Sequence, residues 1–162
     1  MTTPHENPDL DRYLLFTLGA ELYATPLMGV REVVEMQTAK QIPHTVASFL
    51  GVINIRGEIV GVVDLRLRLG YPASERRDAA MMVFATPGGA LAAVADGMEG
   101  VARIPEETIE RKPKVDARLP LQYLIGVGRL KERLVTIVDL SQVLEGEEIS
   151  LIHRATQSKT AS

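Results

Sequence analysis

Gly51 to Gly70 recurs 75 residues later as Gly126 to Glu145, without a gap. Seven of the twenty positions are identical: Gly51/Gly126, Val52/Val127, Val60/Val135, Val63/Val138, Asp64/Asp139, Leu65/Leu140 and Leu69/Leu144. Chance would match about one or two, so the chain carries an internal duplication and is built from two related units. A vaguer echo sets Tyr13–Val33 opposite Met81–Val101. Each unit ends in Val-Asp-Leu and a short helical stretch.

The units read as all-β. Tyr13 to Leu18 and Leu22 to Ala24 flank Gly19-Ala20-Glu21, two apolar runs around a glycine-containing turn. In Val30 to Val34, alternation sets Val30, Glu32 and Val34 on one strand face and Arg31 and Val33 on the other. A helical turn over Pro26 to Arg31 competes for the first of these residues. Gly51 to Ile55, Arg56-Gly57-Glu58 and Ile59 to Val63 form the clearest hairpin, since branched residues favour strand and Gly57 tolerates positive φ. Further strands are expected at Ala80–Ala85, Ala90–Ala95 and Met98–Ile104, and a last hairpin at Leu124–Val138. Glu106 to Leu119 reads as a long surface loop, and a C-terminal helix should end near His153. The expected repeat cores are 13–70 and 80–146, within one domain spanning 12–155 between flexible tails 1–11 and 156–162. Exchange of strands between the cores is left open.

Little in the chain suits catalysis. It has no cysteine, which excludes disulfides, thiol chemistry and thiolate metal sites. His5, His44 and His153 lie far apart without ligand spacing, so no metal is expected. Ser48, Ser141 and Ser150 lack a nucleophile motif, and Gly126-Val127-Gly128 lacks the third glycine of a dinucleotide fingerprint. Eighteen basic against twenty-one acidic residues weigh against a nucleic-acid binder, despite Arg66/Arg68, Arg76/Arg77 and Arg111/Lys112/Lys114. No run approaches a membrane span, and Met1 to Asp11 has no apolar signal core. No cofactor is expected.

The duplication separates scaffold from function. Asp64 and Asp139, present in both units, suit helix caps better than a carboxylate pair. Gly51 and Gly126 suit a strand-entry bend or a close backbone approach. Glu32 and Arg56 belong to the first unit alone, because Arg56-Gly57 becomes Lys131-Glu132 and Arg31-Glu32 becomes Glu99-Gly100. Val30, Val33, Met98 and Val101 occupy corresponding elements, where core packing and a binding groove are both open readings.

Phe16 to Ala24, Val30-Arg31-Glu32-Val33, Gly51-Val52-Ile53-Asn54-Ile55-Arg56-Gly57 and Val63-Asp64-Leu65-Arg66 closely resemble the CheW family of chemotaxis coupling proteins. The likeness runs from about Tyr13 to Ile152. It implies two SH3-like five-stranded β-barrels with short helices and a C-terminal helix. It also implies a non-enzymatic, cytoplasmic adaptor, recruited to receptor arrays, that joins chemoreceptor tips to the CheA histidine kinase. The kinase's regulatory domain is CheW-like, so contacts between copies in arrays are also implied. An adaptor of a pilus-motility or other non-flagellar system is the alternative within the family; a small-ligand or nucleic-acid-binding barrel is the alternative outside it. At 162 residues the chain is expected to be a stand-alone coupler. By motif matching, Val30, Glu32, Val33, Gly51, Arg56, Gly57, Met98 and Val101 fall on the receptor-binding groove, with Glu32 and Arg56 as a salt bridge in its wall. Val34, Met36 and Lys40 fall on the kinase-facing side. Gly61 and Val46 stand where the family commonly has proline, which could loosen an edge or alter a partner surface.

Overall fold

Branched and aromatic runs interrupted by tight turns fold into successive hairpins. A computed structural model describes residues 11–43, 47–72, 79–111 and 123–143. Ten strands are found: β1 Arg12–Leu18, β2 Glu21–Pro26, β3 Val30–Glu35, β4 Phe49–Ile55, β5 Glu58–Asp64, β6 Ala80–Thr86, β7 Gly89–Ala95, β8 Gly97–Arg103, β9 Leu124–Leu130 and β10 Arg133–Val138. Two one-turn helices, α1 Leu65–Arg68 and α2 Leu140–Val143, follow β5 and β10. The competing turn and strand before Arg31 are both realised, as a 3-10 turn at Leu27–Gly29 leading into β3. The tails, Val46 and the chain beyond Val143, with the expected C-terminal helix, lie outside the described residues.

The β4–β5 turn has positive φ at both Arg56 (50°) and Gly57 (87°). That mirror-image turn matches the right-handed twist of the flanking strands. The Asn54 side-chain oxygen accepts from the Gly57 amide at 2.8 Å. The twin turn uses Lys131 (46°) and Glu132 (70°), the same geometry without a glycine.

The strands assemble into two five-stranded sheets, ordered β8-β1-β2-β10-β9 and β3-β6-β7-β5-β4. Replacing each strand by its counterpart five places on converts one order into the other, so the duplication is a structural pseudo-twofold. The barrels are nevertheless not the sequence units: each takes strands from both halves. The chain enters the second sheet between β2 and β3 and returns between β7 and β8. Parallel pairs β2–β10 and β5–β7 join the halves within each sheet.

Three apolar clusters follow. Ile53, Ile55, Val60, Val62, Met81, Val83 and Val94 fill the β3–β7 barrel, whereas Tyr13, Leu15, Leu22, Ile104, Val135 and Ile137 fill the other. Between the barrels, Phe16, Leu18, Tyr23, Phe49, Leu65, Phe84, Leu91, Val138 and Leu140 form a shared layer. Met81 and Met82 are core fillers in this arrangement, fully buried.

Gly51 and Gly126 admit a close backbone approach. A β-carbon on Gly51 would lie 2.1 Å from the Lys40 carbonyl oxygen, and one on Gly126 would lie 2.6 Å from that of Glu110. Lys40 and Glu110 bridge Val52 and Val127, covering equivalent positions on edge strands β4 and β9. The expected loop from Glu106 is therefore anchored at its start: a 3-10 turn at Glu106–Thr108 delivers buried Ile109 to the barrel core. An isolated apolar residue in a polar run gives no periodic signal, which is why the run reads as loop. Gly61 is buried in the inner strand β5, so it is neither a sheet-edge position nor partner surface.

Candidate functional site

Strands β3 and β8 are edges of their respective sheets that, unlike β4 and β9, no bridge covers among the described residues. A cleft of about 600 Å³ lies beside them, lined by Val33, Val34, Glu35 and Met36 on one side and by Met98 on the other, with Ala79 and Ala80 also contributing. The two strands occupy equivalent positions in the pseudo-twofold, so the cleft sits where the barrels face one another with unlike side chains. Val33 (45% exposed), Met36 (39%) and Val101 (52%) are among the few large apolar side chains left open to solvent among the described residues. Val33 and Met36 share the cleft with Met98, and apolar surface left exposed together marks interaction sites.

Alternation along β3 explains the display. Val30, Glu32 and Val34 are half-buried, while Arg31, Val33 and Glu35 face outward. A register shift between Val30 and Glu32 turns the strand at that point. Val30 then packs against the shared layer and Val34 against the barrel core.

An ion-pair network stands on the same strand. The Glu32 carboxylate accepts from the Arg56 guanidinium and lies 3.4 Å from Arg31 Nε; Arg31 in turn reaches Glu58 Oε1 at 2.9 Å. Strands β3 and β4 are opposite edges of one sheet, so these contacts clasp the β4–β5 hairpin tip onto β3. In the other barrel, Arg133 bonds Glu99 at 3.0 Å. This is the Arg31–Glu58 pair repeated with its charges reversed. Glu32–Arg56 has no counterpart, because Gly100 and Lys131 stand there.

The residues singled out in the sequence thus separate. Val33 and Met98 line the cleft, together with Val34 and Met36, which the sequence offered as candidates for the kinase-facing side. Val101 is exposed on β8, Glu32 and Arg56 belong to the clasp on β3, and Gly57 sits in the hairpin tip that the clasp holds. Val30 belongs mainly to the packing layer, and Gly51 is buried against the Lys40 backbone. Lys40 is spent on covering β4 through main-chain bonds of 2.8 and 2.9 Å to Val52. Asp64 accepts from the Arg66 amide at 2.9 Å and the Leu67 amide at 3.4 Å, at the start of α1. Asp139 accepts from the Ser141 hydroxyl at 2.5 Å. Arg31 and Glu58 were not foreseen; only closure of the barrel, with β3 and the β4–β5 hairpin at opposite ends of one sheet, brings them together.

Among the described residues, no three His, Asp or Glu side chains gather as a metal site, and no helix is long and apolar enough to cross a membrane. What the site offers is apolar contact beside a directional pair of charges.

Comparison with known proteins agrees with this frame. The profile of the CheW-like domain family matches residues 12–148. Chemotaxis protein CheW of Klebsiella aerogenes is 30% identical over 147 residues, covering 90% of this chain and 89% of that protein. Chemotaxis protein CheW of Treponema pallidum is 26% identical, with 88% and 87% covered. The crystal structure of scaffolding protein TtCheW from Thermoanaerobacter tengcongensis superposes with a TM-score of 0.77 at 26% identity, over 91% of this chain and 96% of that one. The expected architecture of two SH3-like barrels stands. With the duplication, the paired barrels and the family profile spanning nearly all described residues, the chain belongs to the CheW family.

Proposed function

We propose that this protein is a coupling adaptor of a chemotaxis signalling assembly, acting through geometry and catalysing nothing. The cleft between β3 and β8 takes the α-helical tip of a chemoreceptor. Val33, Met36 and Met98 meet the apolar stripe of a receptor helix, in the helix-in-groove mode. The Glu32–Arg56 clasp holds the wall and offers polar partners at its rim. Arg56 is 75% exposed, so its pairing contributes about 0–1 kcal/mol to stability and matters more for orientation. Remaining barrel faces, including that around Lys40, hold the CheA histidine kinase through its CheW-like regulatory domain. Contacts between copies of the chain extend the array. The adaptor works in the cytoplasm at receptor-bearing membranes. Single contacts of about micromolar strength suffice, because many act together in a lattice.

The observation that carries this reading is the exposed apolar cleft flanked by an ion pair that the duplicate lacks. Co-sedimentation with receptor-bearing membranes, with and without kinase, tests it. Wild-type protein is expected to be recruited saturably, and Arg56→Glu to lose most recruitment while keeping its melting temperature within a few degrees. Undiminished recruitment of a folded Arg56→Glu variant would reject the assignment.

A further inference from the structure

Arg66 is a buried cation that the docking cleft does not use. It is 8% exposed, sits in α1 directly after β5, and its guanidinium NH1 pairs with the Asp96 carboxylate. Its Nε donates to the Pro72 carbonyl at 2.8 Å, and its guanidinium lies 5.9 Å from the Tyr71 ring centroid. The Tyr71 hydroxyl meets that of Tyr23, on β2, at 2.5 Å. Asp96 is the single residue by which the chain returns from the β3–β7 barrel to the other barrel. It is tied to the β1–β2 hairpin twice: its amide donates to the Thr17 carbonyl at 3.0 Å, and its carboxylate accepts from the Gly19 amide at 2.6 Å.

Both cleft strands begin where the chain changes barrel: β3 follows the first passage and β8 the second. The first passage, Leu27–Gly29, has no side-chain cap bond. The second carries the Arg66–Asp96 pair. The apolar layer between barrels supplies cohesion but is non-directional. Charge-assisted hydrogen bonds are directional and fix register.

We propose that Arg66 is a positioning residue for the docking cleft: acting through Asp96, it locks the root of β8 to α1 and so sets the separation of β3 and β8. The functional half of this inference rests on the cleft being the receptor site. Loss of the pair loosens the spacing without unfolding either barrel, and a loosened site loses preorganisation and hence affinity.

The chain has no cysteine, so nitroxide labels can be placed at will. Labels at Glu35→Cys and Glu99→Cys report the separation across the cleft; labels at Glu35→Cys and Ala85→Cys, both in one sheet, serve as reference. Arg66→Met and the gentler Arg66→Gln are expected to broaden the first distance distribution and leave the second unchanged. Unlabelled variants are expected to lose about tenfold in receptor recruitment. Should Arg66→Met fail to fold, Arg66→Gln decides: it removes the charge and shortens the reach while leaving Asp96, whose same carboxylate oxygen accepts from Gly19, in place. An unchanged cross-cleft distribution in a folded variant overturns the proposal, as does a broadened one with full recruitment. Val33→Asp separates the two readings: if it abolishes recruitment while loosened variants bind normally, the latch fails and the docking site stands. If Val33→Asp binds normally, the docking site itself fails.

Discussion

Glu132 holds φ at 70°, in the left-handed region that costs a side-chain-bearing residue roughly 1–2 kcal/mol. Replacing it with glycine, as in the twin turn at Gly57, should raise stability by about 1 kcal/mol in urea unfolding. A neutral or negative change would show that the turn is not strained. Tyr13 gives the pH counterpart. Burial favours its neutral phenol and pushes its pKa above the ordinary value near 10, with the Glu106 charge adding to the shift and Arg111 opposing it. The folded chain holds a proton that the unfolded chain sheds. Its contribution is therefore intact below about pH 10 and is lost as pH rises toward the raised value. Melting temperature should fall above pH 10 in the wild type and fall less in Tyr13→Phe; equal slopes would contradict this. The repeat made the close-approach role of Gly51 and Gly126 readable, since a glycine kept in both copies answers a need of the fold. Arg66 gave no such signal. It lies thirty positions before Asp96, in a pattern that reads as solvated surface, and only the chain's passage between barrels joins the pair.

Among the elements, the hairpins were legible because branched runs and turn residues point the same way. The alternation of β3 was legible as well, and it sorted Val33 from Val34 correctly by exposure. What the strand faces was not legible: neither Val34 nor Met36 reveals in sequence that β8 of the other barrel stands opposite. The reversed ion pairs, Arg31–Glu58 and Glu99–Arg133, make the two hairpin tips electrostatic opposites on one frame. Exchanging charges as Arg31→Glu with Glu58→Arg should recover part of what the single changes lose, the remainder being the Arg31–Glu32 contact, which the exchange turns into repulsion. Each loss should be under about 1 kcal/mol, since both side chains are partly exposed. A double-mutant cycle in urea measures the coupling. Zero coupling would mean that the pair only accompanies closure of the barrel.

At the scale of the molecule, the duplication identified which strands are equivalent but not which sheet each joins. Exchanged and unexchanged barrels have the same repeat offset and the same apolar pattern; what separates them is the parallel pairing of β2 with β10 and β5 with β7, which lies far apart in sequence. That exchange explains why a cleft forms at all. Each passage between barrels ends in an edge strand, and the two edges come to line one concavity. Family likeness pointed to Val33 and Met98, while strand exchange brings them together. The central claim is that this concavity receives a receptor helix. A methyl-resolved NMR titration of the full chain with a soluble receptor-tip helical hairpin tests it most directly. Saturable shifts are predicted at the Val33, Val34, Met36, Met98 and Val101 methyls, with Met28 and Leu134, the most exposed large apolar side chains among the described residues at 64% each, left in place. Shifts centred on Met28 or Leu134 with the cleft methyls unmoved would contradict it.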